Sequence, residues 1–376
     1  MTFVTTFEEL EPYLDRLDVA KRRKHEIKKA IRSLSFPYKF PEEYLKRITD
    51  ISPLATEIQD IYNYEEGTED VLLRYKKEVL KIIAPMPMES AKEKINIKDY
   101  VKFVGVAGKD KEPVKGIVRV YKKRALFVPY GECAGHCLWC FRNKTEFFLD
   151  ENDLNNAIAW LKKHKEIYDV ILTGGEPLLG SKETFNWILK KLWEIEHIKI
   201  IRFHTRILAY LPEKLDEEFF KILKKYNSPE KGKSIWVIAQ IVHPIELTGK
   251  ALNATQNFLY DGVPVLNQAP ILRNINDDQR TFNEWHDRMV FHGIKPYYDI
   301  GLIITPGYSN KRFYVPAEKI KELQKKYYDD GDGLGIAKII LPIMGKKYSL
   351  EELKKLEKEG YLTRLTKSQI YSDYKG

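Results

Sequence analysis

Up to about residue 95, apolar positions recur every three to four residues; beyond it they gather into short runs separated by amphipathic stretches. Leu10, Leu14, Leu17 and Ala20 fall on one helical face. Just ahead of them, Thr6-Phe-Glu-Glu9 reads as a capping box, its hydroxyl and carboxylate satisfying the first free amides of a helix. Pro37 and Pro41 interrupt the region, and further helical patterns run through 42–49 and 68–83. From Val101 to Val120, alternation around Gly108-Lys-Asp-Lys-Glu-Pro113 predicts a hairpin.

The second part changes rhythm. Six β-rich runs follow one another: Ala125–Tyr130, Val170–Thr173, Ile198–His204, Ile235–Ile241, Val263–Gln268 and Pro296–Ile300. Amphipathic stretches such as Lys182–Glu196 and Glu213–Lys225 separate them. Such alternation predicts an α/β fold with a parallel sheet, either a partial (β/α)6 barrel or a doubly wound sheet. Chemistry in such barrels sits at the C-terminal ends of the strands. The organisation predicted is an N-terminal helical region (1–100), a barrel with its preceding hairpin (101–305) and a C-terminal extension completing the site (306–376).

With 376 residues, 43% of them hydrophobic, the chain can bury a barrel-sized core. No apolar run approaches the ~20 residues of a membrane span, and the start lacks the pattern of a signal peptide. The expectation is a cytoplasmic protein with no membrane partner. Net charge is +9, from 63 basic and 54 acidic residues. The densest basic stretch is Lys21-Arg22-Arg23-Lys24 with Lys28, Lys29 and Arg32. A solvated helical face explains it better than an RNA partner does, though RNA fits the charge.

All three cysteines lie in one loop, Gly131-Glu-Cys133-Ala-Gly-His-Cys137-Leu-Trp-Cys140, directly after the first β-run. An odd, clustered set makes no disulfide framework, but it suits a metal site. This spacing lets three thiolates converge on one [4Fe–4S] cubane. The chain has no fourth cysteine, so one iron is left for an outside ligand, such as the amino and carboxylate groups of S-adenosylmethionine (SAM). The alternatives are a Cys3His zinc site with His136, or plain electron transfer. At the end of the second β-run stands Thr173-Gly-Gly-Glu-Pro177. Gly174 and Gly175 allow close backbone approach to a ligand, and Glu176 can accept a bond from an ammonium group. Trp139 can stack on adenine or simply pack in the core.

Together these motifs resemble the radical SAM superfamily. The stretch from about Arg119 to Ala337 resembles the lysine 2,3-aminomutase family within it, as a divergent member. The resemblance rests on Val170-Ile-Leu-Thr-Gly-Gly-Glu-Pro-Leu-Leu179, Ile200-Ile-Arg-Phe-His-Thr-Arg206, His243-Pro-Ile-Glu246, the run from Gly262 to Asp278, and Lys295-Pro-Tyr-Tyr298. It implies a [4Fe–4S] cluster, SAM, an electron donor for the cluster, and pyridoxal phosphate (PLP), with an amino group moved between adjacent carbons. It also implies roles for single residues. Arg142 matches the arginine that holds the substrate carboxylate, a task suited to a bidentate guanidinium. Arg124 matches one near the PLP phosphate, while Thr205 and Gln268 match strand ends near SAM.

The departures bear on substrate. The family's PLP lysine follows a glycine run; here the nearest match is Gly333-Leu-Gly-Ile-Ala-Lys338, with Lys346 and Lys347 as competitors. Of the two aspartates that hold a substrate's distal ammonium, the first position is Ile303. Only Asp330 or Asp332, slightly out of register, matches the second. Two expectations follow. One is a PLP-dependent aminomutase for an amino acid or lysine-like side chain, not specific for free lysine. The other is a PLP-independent radical enzyme acting on a peptide, protein or RNA-linked substrate. The sequence leaves homo-oligomerisation open.

Overall fold

The computed structural model describes residues 2–32, 34, 38–52, 55–56, 61, 67–84, 112–119, 121–140, 149–301, 313, 315–330, 333–343, 346–349 and 351–352. The capping box forms: the Thr6 hydroxyl accepts from the Glu9 amide, and the Glu9 carboxylate accepts from Thr6, opening the helix Phe7–Arg16. The helices Lys21–Arg32, Glu42–Thr49 and Thr68–Ile83 follow. Along Lys21–Arg32 the cations meet acids, with Lys24 on Asp15, Lys28 on Glu8 at 2.7 Å and Arg23 on Glu26 at 3.1 Å. Part of its charge is thus answered within the chain.

A two-residue ladder joins β1 (Phe3–Val4) to β2 (Phe40–Pro41). The main sheet has nine strands in the order β11-β10-β9-β8-β7-β6-β5-β4-β3. They are β3 (Ile117–Val118), β4 (Arg124–Phe127), β5 (Asp169–Leu172), β6 (Ile200–Thr205), β7 (Ser234–Ala239), β8 (Val265–Ile271), β9 (Lys295–Gly301), β10 (Lys338–Ile343) and β11 (Lys346–Tyr348). β4 through β10 run parallel, and β3 and β11 are antiparallel edges. The six β-runs expected from sequence are β4 to β9. The strand beginning at Lys338 was not foreseen. Of the expected hairpin, residues 101–111 lie outside the described residues; the described part turns at 113–116 and pairs Ile117 and Val118 with β4.

The sheet is an open crescent, not a closed barrel. β4 and β9 are five strands apart, about 24 Å in a flat sheet at the usual strand spacing. The register puts Tyr298 on β9, Arg124 on β4 and Arg202 on β6 on one face of the sheet. Helices cover the convex face, where Ile201 and Phe203 of β6 join a core containing Phe185 and Phe219. That core runs without a break from Leu10 and Tyr44 in the N-terminal helices to Ile271 and Trp285 in the barrel. Among the described residues, no helix is long and apolar enough to cross a membrane.

Candidate active site

β4 ends at Phe127 and leads into the cysteine loop; β5 ends at Leu172 and leads into Thr173–Glu176. The two connections lie against each other. The Gly175 amide donates to the Tyr130 carbonyl at 3.0 Å, and the Glu176 amide donates to the Glu132 carbonyl at 2.7 Å. Gly174 adopts φ +114°, and a Cβ there would lie 1.9 Å from the Val128 Cγ1. At Gly175 a Cβ would lie 2.2 Å from the Glu132 carbonyl oxygen. Gly175 therefore serves close approach to the cysteine loop's backbone and Gly174 close approach to the Val128 side chain, where the sequence suggested approach to a ligand.

Glu176 is buried, and much of its carboxylate is already engaged. Oε1 accepts from the Thr205 hydroxyl at 2.5 Å and the Leu178 amide at 3.2 Å; Oε2 accepts from the Arg206 amide at 2.9 Å. A carboxylate offers about four acceptor positions, so little remains for an ammonium group. Glu176 thus ties the β5 end to the β6 end, a clamp that local sequence does not reveal. Thr205 faces this carboxylate directly and accepts in turn from the Ile207 amide at 2.9 Å.

Burial pushes the Glu176 carboxyl from 4.5 up to about 7, while Thr205 and the amides of Arg206 and Leu178 pull it back. Between those values the folded chain holds a proton that the unfolded chain has lost. The group's stabilising contribution is therefore full below about pH 4.5 and is lost as pH rises through about 7. The loss is on the order of 3 kcal/mol. Urea unfolding of the cluster-free chain at pH 5 and pH 8 checks this. Wild type should lose that amount relative to Glu176→Gln, whereas equal pH dependence in both chains would contradict it.

The three thiols are partly buried. Burial pushes the Cys133 thiol well up, and the neighbouring Cys140, Cys137 and Glu176 push it further, with Lys39 opposing. Burial also raises Cys137, but there the Arg206 guanidinium and the Tyr210 hydroxyl pull the other way. Thiols crowded in this way become thiolates only against strong positive charge, and an iron cluster supplies it. The donor set fits a cluster. Among the described residues, the three cysteines included, no group of three His, Cys, Asp or Glu side chains is gathered closely enough to hold a metal ion.

The loop is held from beneath by segments that the sequence left unassigned. The His136 amide donates to the Lys39 carbonyl at 2.7 Å, and the Lys39 ammonium reaches Glu132 at 3.0 Å and the Cys133 carbonyl at 3.1 Å. Trp139 is buried, edge-on to Phe313 at 5.9 Å and beneath the Arg206 guanidinium at 5.1 Å. Among the described residues its indole N–H, also buried, has no acceptor. His243 of His243–Glu246 is fully buried, with Nε2 3.0 Å from Glu78 of the helix Thr68–Ile83 and Nδ1 accepting the Ile245 amide.

Strand register places Arg124, Arg202, His204, Gln268, Tyr298 and Lys338 on the concave face. Gln268 is half-buried and level with Tyr298, which is level with Lys338. Lys338 is exposed at the start of β10, and Arg124 stacks 4.1 Å over Tyr121 at the start of β4. Arg202 is tied to Asp169, partly through Nε at 3.0 Å. Asp330 is the exposed last residue of the helix Ala317–Asp330. Such a helix returns antiparallel to the strands, so its end lies toward their N-terminal edge, away from the cysteine loop. Arg142, Ile303 and Asp332 lie outside the described residues, as do the side chains of Lys346 and Lys347.

Residues 127–282 match the sequence model of the Radical SAM superfamily. The chain is similar to L-lysine 2,3-aminomutase of Methanococcus maripaludis, 31% identical over 207 residues, covering 54% of this chain and 46% of the relative. It is also similar to glutamate 2,3-aminomutase of Clostridioides difficile, 28% identical over 267 residues, covering 67% of this chain and 62% of the relative. The chain thus spans about half to three-fifths of the length of the relatives it matches. The crystal structure of Streptococcus suis SuiB bound to S-adenosylmethionine aligns over 86% of this chain and 79% of its own, at a TM-score of 0.45 and 14% identity. A likeness that distant carries no function across.

Proposed function

We propose that this chain, whose residues 127–282 match the Radical SAM superfamily, is an enzyme whose Cys133, Cys137 and Cys140 hold a [4Fe–4S] cluster. A cluster held there would supply one-electron reduction of SAM by an outside donor, releasing methionine and a 5′-deoxyadenosyl radical able to take a substrate hydrogen. The carrying observation is the pairing of the cysteine loop with the Gly174–Glu176 turn at the ends of β4 and β5. Glu176 and Thr205 keep that turn closed. Trp139 walls the loop and offers an indole N–H. Gln268 lines the concave face.

The reading extends to an amino-acid-like substrate, through similarity to two aminomutases that differ in substrate. PLP held by the Lys338 amine and the Arg124 guanidinium would sit at the strand starts, the edge opposite the cysteine loop, so the placement of these two residues favours the PLP-independent alternative. Arg142 would hold a substrate carboxylate. Borohydride treatment followed by mass analysis at Lys338 separates a PLP-dependent enzyme from that alternative.

Free lysine is expected to be a poor substrate. By the family resemblance Ile303 holds the sequence position of a carboxylate that meets the distal ammonium, and the helix end carrying Asp330 points away from the cysteine loop. An ammonium group against an apolar side chain costs several kcal/mol, about 2 to 4 once partial solvation is counted. That corresponds to roughly a 30- to 1,000-fold loss in kcat/KM. The assay compares L-lysine with an amino-acid panel and lysine-bearing peptides. Conversion of free lysine to β-lysine as fast as the best panel member would refute the substrate reading and leave the cluster reading standing.

A further inference from the structure

Cys137 is set apart from Cys133 by what surrounds it. The Tyr210 hydroxyl donates to its sulfur at 3.4 Å. Arg206 is buried, stacked 4.5 Å over the Tyr210 ring, with Nη1 donating to the Gln240 carbonyl at 2.8 Å and Nη2 bonded to Glu246. Glu246 also accepts from the Val242 amide at 2.9 Å and from the Tyr44 hydroxyl at 2.7 Å. Tyr44 comes from the N-terminal helix Glu42–Thr49 and meets Tyr210 edge-on at 4.7 Å. Arg47 of the same helix holds the Tyr210 carbonyl at 2.9 Å.

An ordinary core would not bury a cation, an anion and two phenols in one place, since desolvation of the ion pair alone opposes it. The group reaches the cysteine loop through Tyr210, whose hydroxyl touches the Cys137 sulfur. Resting on the radical SAM reading above, we propose that Tyr210 and Arg206 are positioning residues that raise the reduction potential of the cluster through Cys137, with Tyr44 and Glu246 fixing their orientation. Reduction adds one negative charge, spread over iron and sulfur. A phenol donor and a guanidinium beside one thiolate stabilise that charge, the lever by which hydrogen bonds to cluster sulfurs set potentials. The electron comes from a one-electron reductant, and no proton or bond is exchanged. Because Tyr44 and Arg47 anchor the pair, the N-terminal helices belong to the redox shell as well as to the fold.

The test is a poised redox titration of the anaerobically reconstituted full chain, with iron and sulfide counted and the reduced cluster read by electron paramagnetic resonance. Tyr210→Phe keeps ring and packing but removes the donor. It should retain full iron and sulfide, with a reduced-to-oxidised ratio at fixed potential about tenfold lower, about 59 mV for a one-electron couple. Full iron with an unchanged ratio overturns the proposal and leaves the superfamily reading intact. If Tyr210→Phe fails to hold a cluster, 3-fluorotyrosine placed at position 210 decides. Its more acidic phenol is a stronger donor and should raise the ratio, and an unchanged ratio overturns the proposal. Wild type without a four-iron cluster overturns both readings together.

Discussion

Replacing any one of Cys133, Cys137 or Cys140 by Ala is expected to reduce reconstituted iron from about four per chain to near none. Release of 5′-deoxyadenosine should fall to background with it. The loop supplies every thiol in the chain, so no other cysteine can take over. Each thiol has a different setting: Cys133 sits beside Glu176 and Lys39, and Cys137 beside Tyr210 and Arg206. The remaining two thiolates therefore cannot slide into a new arrangement without breaking those contacts. His136→Ala separates the cluster from the zinc alternative, because a Cys3His site needs the imidazole and a three-thiolate cluster does not. His136→Ala should keep its iron. Tightly bound zinc in wild type, lost from this variant, would establish the alternative.

Gly175→Ala is the second large effect, and it acts on the fold of the site without touching a ligand. The added methyl would lie 2.2 Å from the Glu132 carbonyl oxygen and 2.6 Å from the Gly131 carbonyl carbon. Both are backbone atoms, so no side chain can rotate out of the way. The β5 turn and the cysteine loop must separate, and the Glu176–Glu132 and Gly175–Tyr130 hydrogen bonds go with them. Overpacking of this kind costs about 3 kcal/mol, and here it should also abolish SAM cleavage. Gly232→Ala is the contrast: its φ is +68°, but nothing lies within 4 Å of the new methyl. Backbone strain alone predicts about 1 kcal/mol there, with SAM cleavage unchanged. Urea midpoints and 5′-deoxyadenosine release read both variants. Gly175→Ala with wild-type stability and product release would show that the two loops are not packed as described.

What the sequence disclosed was what repeats locally. The Thr6–Glu9 box, the helices at 42–49 and 68–83 and the strands from β4 to β9 each carry their own period or cap, so short windows suffice. β10 escaped because Ile339-Ile340-Leu341 is a brief apolar run between a glycine turn and Pro342, too short to tell a strand from a loop. The site was legible in its motifs and not in its contacts. Gly174 and Gly175 were visible as residues that permit close approach, but the partner was the preceding loop, some forty positions upstream. Tyr44 and Glu246 are 202 residues apart, and nothing in either segment announces the other. Arg206, Tyr210 and Glu246 were present in or beside quoted motifs, yet their role follows from burial together beneath Cys137, which no linear pattern encodes. Lys39 gave no signal at all, being one lysine in a lysine-rich chain.

A three-cysteine loop that leaves one iron of a four-iron cluster open to SAM should give a cluster signal that responds to SAM. Electron paramagnetic resonance of the anaerobically reconstituted, reduced protein, recorded before and after adding SAM, reads that response directly. The expected result is a four-iron signal of one unpaired spin that changes shape when SAM binds. A cluster signal that SAM leaves unaltered, or a protein that takes up zinc and no iron, would contradict it.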